Sequence, residues 1–170
     1  MNMKKIFCSI SLMFGVLSAF SQINWMPFEK AMELSAKDGK PVMIDVYTDW
    51  CGWCKRLDAT TYQDSAVVAY INSHFYAVKM NAEGAEKITY RDSVYTKQGK
   101  THDLAIKLLN GKLSYPTTIF MVDKYNMIIP VAGYMNRETI QPNLFFYGER
   151  VYELNNIGEI FMKGFNAPKF

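Results

Sequence analysis

The chain has 170 residues and a formal net charge of +3, from 19 Lys and Arg against 16 Asp and Glu. Two of those charges are Lys4 and Lys5, so the rest of the chain lacks the basic surplus that nucleic acid or an anionic membrane surface demands. The length suits one ordinary core that needs no disulfide staples.

Residues 1–21 read apart from the rest. Lys4 and Lys5 precede an apolar run from Ile6 to Phe20, and Ala19-Phe20-Ser21 places small residues at the −3 and −1 positions of a cleavage site. This pattern predicts a secretory signal peptide cleaved before Gln22, hence a periplasmic or secreted protein. The run is roughly 15 residues, broken by Ser9, Ser11 and Gly15, against about 20 for a membrane span; an uncleaved anchor is the alternative. Cys8 sits too early for lipid attachment and leaves with the signal, so only Cys51 and Cys54 remain. A single possible bridge does not make a disulfide-stapled scaffold.

Residues 22–170 carry no repeat, low-complexity tract or linker and read as one domain. Phe28, Ala31, Met32 and Leu34 fall at helical spacing over Phe28–Asp38, with Gly39 placed to end the helix. Pro41 then opens a buried strand, Val42–Tyr47. Helix resumes from Cys54, and Asp64 is the expected cap of another over Ala66–Ile71. Phe75–Asn81 reads as a second central strand. Ala82–Lys100 is polar, without an apolar period, and long for a connection in a compact domain. Thr101 is the expected cap of a helix carrying Leu104, Ala105, Leu108 and Leu109, ended by Gly111. Thr117–Val122 and Met127–Ala132 are strands joined at hairpin spacing. A last helix is expected from Pro142, as a helical extension over 142–170. The predicted class is α/β, a mixed central sheet with helices on both faces.

The chemistry is concentrated in Trp50-Cys51-Gly52-Trp53-Cys54-Lys55. A buried strand here delivers Cys-x-x-Cys onto the first turn of a helix, whose unpaired N–H groups and partial positive charge favour thiolate over thiol. Two intervening residues bring the sulfurs within bonding reach, so the pair can cycle between dithiol and disulfide. Cys51 is the expected nucleophile, exposed at the helix start, and Cys54 the resolving thiol one turn deeper. Trp50 is expected to be half-buried scaffold, and Trp53 an exposed apolar contact for substrate. A static disulfide is the alternative. Zinc is disfavoured, because His74 and His102 lack the tight spacing of a finger and only one Cys-x-x-Cys is present. Covalent haem needs histidine where Lys55 stands. Asp45, in the middle of an apolar strand, is costly to bury without a task or a partner. The aromatic tail, Phe145, Phe146, Tyr147, Val151, Tyr152, Leu154, Phe161 and Phe165, reads as core packing.

The run Gly39-Lys40-Pro41-Val42-Met43-Ile44-Asp45-Val46-Tyr47-Thr48-Asp49-Trp50-Cys51, with Lys79-Met80-Asn81, Tyr115-Pro116-Thr117 and Gly133, resembles the thioredoxin superfamily. Within it, the resemblance is to the C-terminal thioredoxin-like domain of bacterial periplasmic thiol–disulfide interchange proteins, over about Trp25 to Tyr134. It implies a thioredoxin-like fold and a protein thiol–disulfide oxidoreductase with no cofactor beyond the redox-active disulfide Cys51–Cys54. It also implies that Asp45 is the buried acid that helps deprotonate Cys54, with burial raising its pKa, and that Lys79 lies near it. Pro116 would be a cis-proline facing the dithiol, leaving Tyr115 to pair with a substrate segment. An acid pointing outward at Asp45, a solvated Lys79 and a trans turn proline at 116 are the alternatives. Expected partners are protein thiols and disulfides and an upstream electron donor or acceptor protein, with the chain itself a monomer.

The chain departs from thioredoxin in having Gly52-Trp53 between the cysteines, no proline in the following helix, and the polar insertion 82–100. It has no counterpart of the membrane-spanning electron-transfer domain, so another protein is expected to deliver electrons. Reduction of protein disulfides is favoured by analogy alone. An oxidase or isomerase on the same scaffold, or a non-catalytic binding module with a structural disulfide, stays open.

Overall fold

Val42 to Val46 form a strand whose side chains are buried on both sides, including the polar Asp45, as a central strand covered by helices requires. A computed structural model describes residues 22–154. Its first half comprises α1 (Phe28–Asp38), β1 (Val42–Tyr47), α2 (Gly52–Ala59), α3 (Ser65–His74), β2 (Tyr76–Asn81), β3 (Ile88–Tyr90) and β4 (Ser93–Tyr95). The second half comprises α4 (Asp103–Leu108), β5 (Thr117–Val122), β6 (Met127–Ala132) and α5 (Arg137–Gly148).

The main sheet runs β2–β1–β5–β6, with β1 parallel to β2 and antiparallel to β5, and β6 antiparallel to β5. Alternation along the strands sorts the core into two layers. Val42, Ile44, Val46, Val78 and Met80 pack with Phe28 and Ala31 of α1 and with Leu104, Ala105 and Leu108 of α4. Met43, Ala77, Phe120 and Val122 pack with Leu57 of α2, Val67, Val68 and Ile71 of α3, and Ile140, Leu144 and Tyr147 of α5. Asp45 shares parity with Met43 and so points into the α2 layer. In register it lies between Lys79 of β2 and Thr118 of β5.

The local signals act as their chemistry requires. Gly39 adopts φ +72° and its N–H bonds back to Ser35 O at 2.8 Å, closing α1. Asp64 Oδ1 accepts from the amides of Ala66 and Val67, each at 3.0 Å, opening α3. Tyr147 stacks on Phe120 at 4.6 Å between ring centroids, and Phe146 and Tyr152 pack against the same cluster.

Several expectations need correction. Segment 82–100 holds a small antiparallel hairpin, β3 with β4, anchored by buried Tyr90 edge-on against Phe28 at 5.5 Å. Strands of three residues are too short to register as a period. The cap of α4 is His102, not Thr101: its Nδ1 accepts from Leu104 N at 3.1 Å and its Nε2 meets Glu86 O at 2.9 Å, wholly buried. The last helix begins at Arg137 and not Pro142, because Asn136 Oδ1 caps it through Thr139 N at 3.0 Å. Pro142 lies inside the helix on its exposed side, where a buried face of Ile140, Leu144 and Tyr147 holds the helix despite one missing backbone bond. The helix stops at Gly148 and is followed by a single 3-10 turn, Val151–Glu153. The signal segment 1–21 and the tail residues Phe161 and Phe165 lie outside the described residues. Among the described residues no helix is long and apolar enough to cross a membrane.

Candidate active site

The chain leaves β1 at Tyr47, turns through Thr48–Trp50 and enters α2 with Cys51 as the capping residue in extended conformation. Where serine or aspartate would supply a capping oxygen, here a sulfur does so: Cys51 Sγ accepts from Cys54 N at 3.1 Å. Cys51 and Cys54 form a disulfide with Cα atoms 5.3 Å apart. A Cβ placed on Gly52 would meet nothing within 4 Å, so the side of the helix start next to Cys51 is open, and Lys55 stands exposed beyond it. Cys51 is only 4% exposed. Its expected exposure is therefore corrected: in the disulfide the sulfur turns inward to its partner and to the Cys54 amide.

The exposed surface belongs to the neighbours. Trp50 is 65% exposed, not half-buried, because it occupies the turn ahead of the cap. Its Nε1 donates to Glu83 Oε1 at 3.1 Å and its ring meets Tyr115 edge-on at 6.0 Å. Trp53, also exposed, leans on Tyr134 at 5.6 Å, and the Arg56 guanidinium lies against both rings at 5.4 and 5.6 Å. The Tyr115–Pro116 peptide is cis, and Pro116 O accepts from Gly133 N at 2.8 Å.

Beneath the dithiol helix, Asp45 is 1% exposed and its Oδ2 receives Lys79 Nζ at 2.9 Å. Lys79 also pairs with Asp58 of α2. Its ammonium lies over the rings of Trp25, Tyr47 and Tyr62 at 5.2, 5.1 and 5.6 Å, an aromatic enclosure that favours the cation. Burial pushes the Asp45 carboxyl up to about 6, outweighing the attraction of Lys79, and the charge of Asp58 adds to the rise. Burial opposes the Lys79 charge, but Asp45 and Asp58 together outweigh it and raise its pKa. A carboxyl poised near neutrality beside a thiol-bearing helix can accept a proton at working pH.

Sequence reasoning brings Cys51, Cys54, Asp45 and Lys79 to this site but passes over Asp58, Tyr62, Thr118 and Trp25. Asp58 was visible as one helical turn beyond Cys54. Thr118 becomes a neighbour of Asp45 only through the β1–β5 register. His74 pairs with Glu149 and His102 caps α4. Among the described residues no group of three or more His, Cys, Asp or Glu could hold a metal ion.

Comparison with known proteins places this geometry. A family model described as "Thioredox_DsbH: Protein of unknown function, DUF255" matches residues 14–152. The thiol:disulfide interchange protein DsbD of Pectobacterium atrosepticum is 30% identical over 130 residues, which are 73% of this chain and 20% of that protein. The chain thus spans about a fifth of the length of the curated relatives it matches. Among solved structures, a thioredoxin from Thermus thermophilus superposes with a TM-score of 0.57 at 19% identity, covering 86% of this chain and 99% of that one. A structure titled DsbH oxidoreductase gives 0.51 at 18% identity, covering 74% and 83%. These likenesses establish the thioredoxin-like fold.

Proposed function

Because the chain belongs to the thioredoxin-like DsbH family, we propose that it is an exported thiol–disulfide oxidoreductase that reduces protein disulfides through Cys51 and Cys54. The observation that carries this reading is the bonded pair at the start of α2, with Cys51 Sγ held by the Cys54 amide above a buried carboxyl.

In the dithiol form, the Cys51 thiolate attacks one sulfur of a substrate disulfide. A mixed disulfide forms and the other substrate sulfur leaves as a thiolate, which takes up a proton. Cys54 passes its proton to Asp45 and attacks Cys51. The Cys51–Cys54 bond re-forms and the second substrate thiolate leaves. Two electrons have then passed to the substrate, and an upstream thiol protein must reduce the pair again. Lys79 holds the Asp45 carboxyl in place, Gly52 keeps the approach open, and Trp53, Tyr115 and Pro116 form the rim against which an extended substrate segment lies. Trp50 and Lys55 flank that rim. The reading includes cleavage before Gln22, a periplasmic or secreted location, a single domain over 22–170, a monomeric state and no cofactor other than the disulfide.

The test is the reduction potential of the pair in protein lacking residues 1–21, equilibrated against defined thiol buffers. A value at or below about −230 mV supports reduction of exported proteins. A value near −120 mV, about that of a strong oxidant, reverses the direction. A pair that does not equilibrate is structural and ends the oxidoreductase reading.

A further inference from the structure

Three polar atoms in the α2 layer are buried without a hydrogen-bond partner: Asp45 Oδ1, the Tyr62 hydroxyl and Thr118 Oγ1. Their residues are 1%, 3% and 0% exposed, so bulk water does not serve them. Each unsatisfied group of this kind costs about 1–3 kcal/mol. Phenylalanine and valine would fill the same volumes as Tyr62 and Thr118 without that cost, so the hydroxyls need a reason to be there.

The fold brings the three together. Thr118 stands directly opposite Asp45 in the β1–β5 ladder, and paired residues project to the same face. Tyr62 enters from the 3-10 turn Thr61–Gln63 that follows α2. Its hydroxyl lies close enough to the Thr118 side chain and to the Asp45 charge for both to act on it, without a hydrogen bond to either, and its ring lies beneath the Lys79 ammonium. Lys79 takes Asp45 Oδ2, so Oδ1 is the oxygen left for the hydroxyls.

We propose that Tyr62 and Thr118 are positioning residues for Asp45, their hydroxyls holding Oδ1 directly or through one shared water and fixing the orientation in which the carboxyl exchanges a proton with Cys54. This rests on the dithiol-exchange reading of the site and deepens it. Donors to a carboxylate favour its ionised form against the cost of burial. The pair therefore sets how much Asp45 is ready to accept a proton near neutrality. The other titratable groups acting on Asp45 are Lys79 from β2, Asp58 from α2 and Tyr47 on its own strand; the Cys54 thiol is the group with which the proposed function pairs it once the disulfide opens.

The experiment is an infrared pH titration of the Asp45 carboxyl in the oxidised protein, its band assigned by Asp45→Asn. Tyr62→Phe and Thr118→Val should each raise the titration midpoint by about half a pH unit or more, roughly a threefold fall in the ratio of ionised to protonated Asp45. Each should also move the protonated C=O stretch to higher frequency, and Thr118→Ser should restore both. In the active protein, the pH midpoint of the Cys54 resolution step should rise in parallel, and not at all when Asp45→Asn is already present. An unchanged midpoint and band in either variant, with its melting temperature preserved, removes that hydroxyl from the role; both unchanged overturns the proposal. The titration needs no turnover, so a protein that exchanges no disulfides would sink the oxidoreductase reading while this result still stood or fell on its own.

Discussion

The backbone amide of Cys54 donates to the sulfur of Cys51 at 3.1 Å, so the residue assigned to resolve a mixed disulfide also holds, through its amide, the sulfur assigned to form it. That amide survives any side-chain change at 54. Cys54→Ser should therefore keep a reactive Cys51 and accumulate mixed disulfides with substrates, visible on non-reducing gels. Cys51→Ser should drop insulin disulfide reduction to background. If neither variant alters exchange and Cys54→Ser captures nothing, the catalytic assignment is wrong.

Asp45 makes stability depend on pH in a defined direction. Its folded carboxyl titrates at about 6 against an ordinary 3.8, so between those values the folded state holds more protons than the unfolded one. Stability from this group is full below pH 3.8 and is lost as pH rises through about 6. The loss amounts to about 3 kcal/mol at most. Asp45→Asn should flatten the decline between pH 4 and 7, as measured by urea unfolding. A decline of the same steepness in the variant would show that other groups cause it.

Lys79 neutralises Asp45 and Asp58 from within a ring of aromatics, yet is itself partly exposed. Lys79→Met should cost about 2 kcal/mol at pH 7, below the 3–5 typical of breaking a fully buried pair. The cost should shrink at pH 4, where Asp45 is protonated. Equal costs at both pH values would mean that the lysine's contribution does not depend on the Asp45 charge.

The strands and the dithiol helix are legible in the sequence because their signals are local: an apolar run interrupted only by Asp45, Gly39 at a left-handed turn, and Asp64 ahead of a helical face. What is not legible depends on elements meeting. Thr118 is an ordinary strand residue until the hairpin docks beside β1, and nothing local in the sequence marks Tyr62, which comes to the site only through the turn after α2. Trp50 misleads because aromatic side chains are usually buried, whereas this one sits in a turn and satisfies its indole N–H at the surface. The hairpin in 82–100 is too short to show a period, and Pro142 is tolerated because burial on the opposite face outweighs its local preference.

His102 bonds through both ring nitrogens, to Leu104 N and Glu86 O, with no solvent access. His102→Ala removes a helix cap and the ring that serves the Glu86 carbonyl, for a loss of about 1–2 kcal/mol. The hairpin should loosen with it, so limited proteolysis should cut within 82–100 before the rest of the fold. Cleavage at the wild-type rate would show that Tyr90 and its packing hold the segment without the histidine.

Trp53 leans on Tyr134 at the edge of the dithiol. Trp53→Ala should raise KM for a protein disulfide several-fold while leaving the rate with a small aromatic disulfide within about twofold, since only the larger partner reaches across the rim. Parallel losses with both substrates would place the tryptophan in the chemistry and not in recognition.

The hydrogen bond from Trp50 to Glu83 joins the residue before the first cysteine to the root of the 82–100 segment. That root is itself pinned where His102 N meets Ala82 O at 2.7 Å. The insertion and the turn beside the sulfur are thus linked by hydrogen bonds at Glu83 and Ala82. Replacing the segment as a cassette, with the cysteines and the strand behind them untouched, would remove the acceptor that orients the Trp50 indole and so re-aim the exposed ring next to Cys51.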